Sequence, residues 1–209
     1  MTVPRGRHAP PLEVRLNVQR QRLFEAAARV FSKLGYADAS AEAISKEAGM
    51  SKATFYEHFA NKEECIFALV DAAGQASRMA VAAAASSTED DFEKKVHARV
   101  HAFLAGLAMF PEMAHVVMVD VIGVGPEGAA KRDQMLQAFG DFLVDENLRA
   151  HHNYGAPRFR SPDDAYAIVG AIMELASRQI RTANPPNIRD LEPVIERMVA
   201  GVLEQGYTR

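Results

Sequence analysis

Residues 40–64 read SAEAISKEAGMSKATFYEHFANKEE, and this segment predicts two short helices separated by a glycine turn. Ser40 is suited to cap the first helix, which Gly49 ends, because its side-chain oxygen can accept a hydrogen bond from a free backbone N–H. Ser51 can cap the second helix in the same way, and that helix runs to about Phe59. Two short helices joined by a tight, glycine-containing turn have the size and spacing of a helix-turn-helix, a motif that enters the major groove of DNA.

The second helix of this motif has one apolar side and one open side. Phe55 and Phe59 are four residues apart, so they share a side and are expected to face inward. The residues expected to point away from them are Ala53, Thr54, Tyr56 and Glu57. Hydroxyl groups such as those of Thr54 and Tyr56 suit hydrogen bonds to DNA phosphates, and Lys62 in the next helix adds a positive charge. An ordinary helical hairpin with a solvated face is the alternative interpretation.

The rest of the chain predicts further helices and no strand hairpin. Upstream, apolar residues recur every three to four positions from about 14 to 34, and Gly35 is the expected stop. Asn61 with Glu64 resembles a capping box that opens a long helix. Downstream, the same periodicity predicts helices over about 91–109, 111–122, 126–148, 163–182 and 188–205. The sequence therefore predicts an all-α protein of about nine helices, with an N-terminal helix-turn-helix domain and a larger helical domain after it.

The chain of 209 residues has a net charge of −3 that is unevenly distributed. Residues 1–35 hold seven Lys and Arg against two Glu, so their net charge is +5 and that of the remainder is −8. A basic end on an acidic body indicates an anionic partner at that end; a basic tail that only aids solubility is the alternative. No apolar run approaches about 18 residues, and the N-terminus lacks the apolar segment of a secretory signal. A single cysteine excludes an internal disulfide, so we expect a cytoplasmic protein without contact to a membrane.

The spacing of residue types around the helix-turn-helix is similar to that of a known family. Within about 20–70, the matching residues are Gly35-Tyr36, Ser40, Ile44, Ala48-Gly49-Met50-Ser51, Thr54-Phe55-Tyr56, Phe59 and Lys62-Glu63. This pattern resembles the N-terminal signature of the TetR family of bacterial transcriptional regulators. Two departures are Ala39, where the family often has Thr, and Ala53, where Gly is frequent.

The resemblance implies a division of the chain and a set of DNA contacts. Residues 1–13, rich in proline and without periodicity, would be a disordered basic arm, 14–62 the DNA-binding domain and 63–209 an effector-binding and dimerisation domain. Phosphates would be held by Ser40, Thr54, Tyr56 and Lys62, whereas base edges would face Lys52, Ala53 and Glu57 or His58. With the cap residue Ser51, the candidate DNA-binding set is Ser40, Ser51, Lys52, Ala53, Thr54, Tyr56, Glu57, His58 and Lys62. Glu57 either accepts a hydrogen bond from a cytosine amino group or is repelled to the rim.

The family carries a ligand cavity in the helices after the DNA-binding domain and dimerises through its last two long helices. The central segment is rich in Met and Phe, which suits an adaptable apolar pocket. The candidate ligand-binding residues are Phe103, Leu107, Met118, Met135, Phe139, Phe142 and Met173. Apolar stripes over 163–182 and 188–205 predict a dimer seam at Ile172, Ala176, Ile180, Val194, Met198 and Val202.

Three other patterns have a functional and a plain structural interpretation. The segment Gly123 to Gly128 matches G-x-G-x-x-G, but a dinucleotide site needs a preceding strand, and Pro126 indicates a helix start. His97 and His101 share a helix face at a spacing that can bind metal, although two ligands alone seldom make a site. Cys65 is interpreted as a core residue, with redox sensing as the alternative. No triad order or carboxylate pair indicates catalysis, so the sequence predicts neither an enzyme nor a bound cofactor.

Together these observations predict a homodimeric regulator that binds palindromic double-stranded operator DNA. The main hypothesis is a repressor that an unknown small, largely apolar effector releases from DNA. One alternative keeps the fold and the DNA but places control in a protein partner, or has no control at all. Another, from a different class, is an all-α metal- or cofactor-dependent enzyme that uses His97 and His101.

Overall fold

A computed structural model describes residues 11–86 and 91–204, and the regular elements in those ranges are all helical. The α-helices are α1 (Leu12–Asp38), α2 (Ala41–Glu47), α3 (Lys52–His58), α4 (Lys62–Ser86), α5 (Phe92–Met109), α6 (Pro111–Met118), α7 (Pro126–Tyr154), α8 (Pro162–Thr182) and α9 (Glu192–Glu204). Two 3-10 turns, Asp120–Val124 and Ile188–Leu191, precede α7 and α9. The prediction of an all-α fold with about nine helices is confirmed.

The expected N-terminal arm, 1–13, is mostly beyond these ranges. Residues 1–10 lie outside the described residues, and Leu12 and Glu13 already belong to α1. Gly35 (φ +75°) interrupts α1 as predicted, because glycine has no Cβ to clash at positive φ. One more turn follows this break, and the Ala39 N–H then donates to the Gly35 carbonyl at 3.3 Å. The break bends the chain from α1 toward α2.

The helix starts follow the caps that the sequence indicates. Ser40 and Ser51 each accept, through Oγ, a hydrogen bond from the backbone N–H three residues later, at 3.1 and 3.0 Å. Asn61 does the same for Glu64 at 2.8 Å, but the Glu64 carboxylate reaches back to the N–H of Ala60 rather than to that of Asn61. Proline supplies the first residue of α6, α7 and α8.

Helix α7 is longer than the sequence predicts. It continues to Tyr154, six residues past the expected end near 148, and Gly155 ends it in the left-handed conformation. The reason is tertiary: the buried amide of Asn147 donates to one backbone group of the following loop and accepts from another, at 2.8 and 3.0 Å. These bonds fold the loop back along the last turns of the helix and protect them from solvent.

Three N-terminal helices form one unit that rests on a larger bundle. α1, α2 and α3 pack together, and α4 leaves this unit to pack against α5 and α7. α1 also runs along α6 and the first 3-10 turn, while α7 pairs with α8 and α5 with α9. Buried apolar residues are contiguous from Leu23 in α1 to Ile195 in α9. A single core therefore joins the helix-turn-helix to the rest of the chain.

Helix α4 has the length and composition of a membrane span, and it packs inside this fold along one side, with 33% of that span buried. Within the described ranges it is the one single helix with these properties, and α5 and α6 share them only as a pair bent by 104°. The side chains of α4 that pack inside the protein include Cys65, Ile66, Leu69, Val70 and Val81. Its middle carries Arg78, whose guanidinium lies 6.0 Å from the centroid of the Phe139 ring. Helix packing thus accounts for its apolar composition.

The surfaces of α8 and α9 correct part of the predicted dimer seam. Ala176 is 0% exposed inside the chain's own core, so the prediction that it contacts a second copy is wrong. Ile172 borders an internal cavity, and Ile180 packs against the core. The α9 half of the prediction lies at the surface as exposed or half-buried side chains, namely Val194, Met198 and Val202. The stripe on α8 is apolar mainly because it faces inward.

The glycine-rich segment from Gly123 to Gly128 is a junction between helical elements. Its first residues belong to the 3-10 turn and Pro126 starts α7, so there is no strand here for a dinucleotide site. A Cβ added at Gly128 would overlap the carbonyl oxygen of Val121. Glycine at this position therefore allows the first turn of α7 to pack directly against the 3-10 turn.

Gly128→Ala should lower the free energy of unfolding by roughly 1–3 kcal/mol, because the new methyl group would force the two backbone segments apart. Gly106→Ala is the matched control: Gly106 also lies within a helix, but a Cβ there meets no atom within 4 Å. Alanine should favour that helix by roughly 0.5–1 kcal/mol. Urea unfolding followed by circular dichroism measures both variants, and equal midpoints would contradict the packing argument.

Candidate nucleic-acid interface and ligand cavities

The helix-turn-helix is held on α1 by a cluster of three phenylalanines. Phe55 and Phe59 are 0% and 1% exposed, which confirms that they face inward. The Phe59 ring centroid lies 5.5 Å from that of Phe55 and 5.6 Å from that of Phe24 in α1. Ile44 and Ala48, the other predicted core positions, are also buried. The orientation of α3 is thus fixed from its inner side.

The outer side of α3 presents a small polar surface. Lys52, Ala53, Tyr56 and Glu57 are exposed, as predicted for an open face. The Thr54 hydroxyl is hydrogen-bonded to the cap residue Ser51 at 2.9 Å, so both hydroxyls stand together at the start of the helix. His58 is turned toward α1, where its Nε2 lies 3.4 Å from the amide oxygen of Gln19. That these residues contact DNA stays a prediction.

His58 is held in conditions that favour a neutral ring. Burial lowers its pKa below the usual value, and the charge of Arg20 lowers it further, against a smaller opposing effect of Glu57. A neutral imidazole turned toward α1 suits a packing role better than a cationic contact to DNA. Lys52 is therefore the remaining cation on α3 itself.

Lys62 occupies a structural position that the sequence did not reveal. Its Nζ donates to three backbone carbonyls, those of Tyr36, Ala37 and Ala39, at 2.7, 2.9 and 3.0 Å. It also lies 4.5 Å from the centroid of the Tyr36 ring. An ammonium group has three N–H donors, so this geometry uses all of them. Lys62 therefore ties the start of α4 to the link between α1 and α2, and the structure favours this role over the predicted phosphate contact.

The positive charges of α1 have a similar structural use. Arg22 donates to the Ala48 carbonyl at 2.8 Å, and Arg29 pairs with Glu47 at 2.7 Å, so both connect α1 to α2. The Arg20 guanidinium lies 4.9 Å from the centroid of Phe59. The net charge of the N-terminal end predicts an anionic partner, but these three cations already hold the helix-turn-helix together.

Two adjoining apolar cavities lie in the bundle behind this unit. The proximal cavity, about 310 Å³, is bordered by α1, α4, α5, α6, α7 and α8, and its α1 wall is Gln21 and Phe24. The distal cavity, about 100 Å³, lies farther from α1 among α4, α5, α7, α8 and α9. The α4 wall of the proximal cavity consists mainly of small residues, namely Ala72, Ala73, Gly74, Ala76, Ser77 and Ala80. Together the cavities reach the size of a small-molecule site, about 300–1,000 Å³.

Six of the seven predicted ligand-binding residues border these cavities. Those on the proximal cavity alone are Leu107, Met118 and Met135, and those on both cavities are Phe103, Phe139 and Met173. The seventh, Phe142, borders neither; its ring packs edge to face on Phe139 at 5.8 Å between centroids. The structure therefore corrects Phe142 to a supporting position. The prediction also missed the polar groups of the distal cavity, which include Arg99, Glu146 and Tyr154.

The two histidines of α5 face residues of α9 and of the 3-10 turn before it. His97 Nδ1 is 2.7 Å from a Glu196 oxygen, and with Glu192 these residues place three ligand atoms within 4.8 Å of one another. The Arg189 guanidinium, however, lies 3.2 Å from Glu192 and 3.0 Å from His101. A cation already neutralises this carboxylate, which favours the interpretation of a surface ion-pair network over a metal centre.

Cys65 is buried beneath the helix-turn-helix, at 0% exposure. Burial raises the pKa of its thiol to about 12, outweighing the opposite effect of Arg20. The thiolate is the reactive form of cysteine, so a buried thiol with a raised pKa is inert near neutral pH. The interpretation of Cys65 as a core residue is confirmed.

We expect the Cys65 thiol to react with a disulfide reagent such as Ellman's reagent only after unfolding. Native protein at pH 8 should show a labelling rate at least about a hundredfold below that of the same protein in guanidinium, because the thiol is neutral and inaccessible. The sign of the pKa shift also predicts that stability falls as the pH rises above about 9, where the unfolded thiol ionises first. Rapid labelling of native protein would refute this assignment, and Cys65→Ala gives the background rate.

Comparison with known families supports the interpretation of the N-terminal unit. Residues 23–69 match the family described as bacterial regulatory proteins, tetR family. The match runs from the buried face of α1 to the first turns of α4, which is the helix-turn-helix with its supports. No curated protein sequence matches the chain significantly.

Solved structures extend the likeness to the helices that follow. The chain is similar to the fatty acid degradation regulator FadR from Bacillus halodurans, with 20% identity and a TM-score of 0.77 over 88% of this chain and 96% of that one. FadR from Bacillus subtilis, in complex with stearoyl-CoA, has 17% identity and a TM-score of 0.72, over 87% of this chain and 98% of that one. The TetR-family regulator PfmR from Thermus thermophilus has 22% identity and a TM-score of 0.57, over 90% of this chain and 100% of that one. At such identities the likeness establishes a shared fold.

Proposed function

We propose that this chain, a member of the TetR family of bacterial transcriptional regulators through its residues 23–69, is a homodimeric repressor controlled by a small apolar effector. Without effector it binds a palindromic operator through the outer face of α3. With effector in the proximal and distal cavities it leaves the operator. This role places the protein in the cytoplasm, with the DNA.

The observation that carries the proposal is the position of Phe24. The Phe24 side chain borders the proximal cavity. Its ring centroid lies 5.6 Å from that of Phe59, the residue directly after α3. A ligand that fills the cavity therefore pushes on the same residue that supports the recognition helix. Such a shared contact gives an effector different interaction energies in two positions of α3, as a population shift requires.

Several groups on α3 suit DNA. Lys52 and Ala53 at the start of the helix are exposed and can reach base edges, while the Tyr56 hydroxyl, on a side chain that is 50% exposed, can reach a phosphate. Small side chains at the start of the helix allow a close approach to the groove. Because Lys62 and Arg22 donate to backbone carbonyls, the direct cationic contacts would come from exposed lysines such as Lys46 and Lys52.

A second copy is needed to read a palindrome. The α9 surface carries Val194, 41% exposed, together with Met198 and Val202, and α8 presents the small residues Ala167, Gly170 and Ala171. Small residues on one helix and apolar residues on the next suit the close packing of a two-fold four-helix interface. Two recognition helices would then reach successive major grooves, about 34 Å apart.

The size and shape of the cavities favour a long, flexible effector. The B. subtilis FadR structure, which shares this fold, contains stearoyl-CoA. In this chain Met and Phe side chains border both cavities, and methionine adapts its shape to flexible apolar chains. These features support a linear apolar ligand over a compact polar one.

Selection of bound sites from random duplex DNA should yield one palindromic sequence. Binding to that sequence should weaken with salt, with a log–log slope of about −3 or steeper, because exposed lysines such as Lys46 and Lys52 on each of two subunits release counterions from phosphates. Tyr56→Phe should weaken binding to all DNA sequences alike, because it removes one hydroxyl that donates to a phosphate. Ala53→Leu should instead change which bases are preferred. Thr182→Val, which removes an exposed hydroxyl at the end of α8, is the control.

A slope near zero, or a selection without any consensus, would remove the DNA-binding role. If Tyr56→Phe altered preference at a single base pair, the division between positioning and reading residues would be wrong. If DNA binding is confirmed but no apolar compound weakens it, control by a protein partner or a constitutive role becomes the better hypothesis.

Met198→Glu should convert the dimer into monomers or insoluble protein, because it would bury an unpaired charge at the interface. Gln134→Glu, which adds the same charge at an exposed position of α7, is the control. Analytical ultracentrifugation measures both, and a folded Met198→Glu dimer would place the interface elsewhere. Monomers should also lose most operator affinity.

A further inference from the structure

The distal cavity is apolar except for one wall, where two hydrogen-bond donors have no partner. Arg99 Nε and the Tyr154 hydroxyl are both buried and without a hydrogen bond, and both residues border this cavity. A buried donor left unsatisfied is costly, and native proteins rarely keep one without a reason. Two of them on one apolar cavity indicate that a ligand supplies the missing acceptor.

The charges around this wall favour an anionic acceptor. Arg99 donates to Glu146 at 3.1 Å, and the other oxygen of Glu146 accepts from Arg149 at 2.5 Å. Two guanidinium groups on one carboxylate leave a net positive charge, and Arg99 is the one that borders the cavity. A ligand carboxylate at this wall would gain both a charge-assisted bond from Arg99 and a neutral one from Tyr154.

The Tyr154 ring lies beside the stretch of α5 that carries Arg99. Lys95 lies four residues before Arg99 on α5, and its Nζ is 5.5 Å from the centroid of the Tyr154 ring. Arg99 therefore lies about one helical turn from Lys95, the residue next to Tyr154, which is about 6 Å along the axis of α5. A carboxylate presents acceptor oxygens in two directions, so it can accept from donors on two walls.

The other end of the cavity leads toward α1. Phe103 and Phe139 border both cavities and pack edge to face, with 5.9 Å between their centroids. Beyond them the proximal cavity continues to Phe24 without a second polar wall of this kind among the described residues. The order from the bundle interior to the DNA-binding unit is thus the polar wall, the aromatic pair, the proximal cavity and Phe24.

We propose that the effector is a long unbranched carboxylic acid bound with its carboxylate at Arg99 and Tyr154 and its chain running between Phe103 and Phe139 into the proximal cavity. This inference rests on the proposed effector-controlled function and gives it a ligand class and an orientation. A short acid fits the distal cavity alone, so it binds without reaching Phe24. Only a chain that passes the aromatic pair presses on Phe24 and releases DNA.

The test measures binding and DNA release separately, with full-length protein. Titration calorimetry gives the affinity for hexadecanoate, octanoate, hexadecanol and hexadecanoyl-coenzyme A. Fluorescence anisotropy of the selected operator gives the release by each compound. The variants are Tyr154→Phe, which removes only the hydroxyl, and Arg99→Gln. Arg149→Gln is the matched control, because it removes the other guanidinium from Glu146, on a side chain that is 67% exposed and outside the cavity.

We expect hexadecanoate to bind and to release DNA, and octanoate to bind without releasing it. Tyr154→Phe and Arg99→Gln should each weaken hexadecanoate binding about tenfold or more, as expected for the loss of a buried bond to a charged group. Arg99→Gln should weaken hexadecanol binding less than hexadecanoate binding, because the neutral alcohol forms no charge-assisted bond with Arg99. Arg149→Gln lowers the net charge at Glu146 without removing a cavity donor, so it should weaken hexadecanoate binding less than Arg99→Gln does.

Different failures have different meanings. If hexadecanoate releases DNA from all variants with equal affinity, the head group lies elsewhere and the orientation is overturned, while effector control stands. If only the coenzyme A thioester binds, independently of Arg99 and Tyr154, the carboxylate assignment is overturned in the same way. If octanoate releases DNA as well as hexadecanoate, the role of the aromatic pair is wrong. If no compound of any chain length binds, the effector-controlled function fails together with this inference.

Discussion

The contact between Phe24 and Phe59 is the interaction on which both parts of this molecule depend. On one side it supports α3, whose inner residue Phe55 packs against Phe59. On the other side Phe24 forms part of the proximal cavity. Because the Phe24 ring packs directly on that of Phe59, a displacement of Phe24 at the cavity wall changes the contact with Phe59. A short aromatic chain thus joins the cavity wall to the helix-turn-helix.

Local features of the structure are predictable from the sequence because their causes are local. The caps at Ser40 and Ser51, the break at Gly35 and the inward side of α3 depend on residues at most four positions apart. The same short-range rules predict the helical class and the inner face of the motif. Resemblance to a family adds the DNA contacts, the ligand cavity and the dimer, which no local rule contains.

Features that depend on distant parts of the chain are not predictable in this way. The charges of Lys62 and Arg22 suggest an anionic partner, yet their donors end on backbone carbonyls 23 to 26 residues away in the chain. Ala176 belongs to an apolar stripe that is equally consistent with an interface and with the core, and only packing decides between them. The last turns of α7 are polar in sequence and helical in the fold because Asn147 binds the loop that follows.

The alanine-lined wall of α4 has a consequence for how this protein can evolve. The proximal cavity exists there because side chains are small rather than because the backbone bends away, so single substitutions at Ala72, Ala73 or Ala80 change its volume by whole methyl groups. Under the proposed function, a lineage can thus come to respond to a new ligand through mutations that leave the outer face of α3 unchanged. The same freedom has a limit: under the proposed function, a side chain large enough to fill the cavity would take the place of the effector and hold the protein in its DNA-released state.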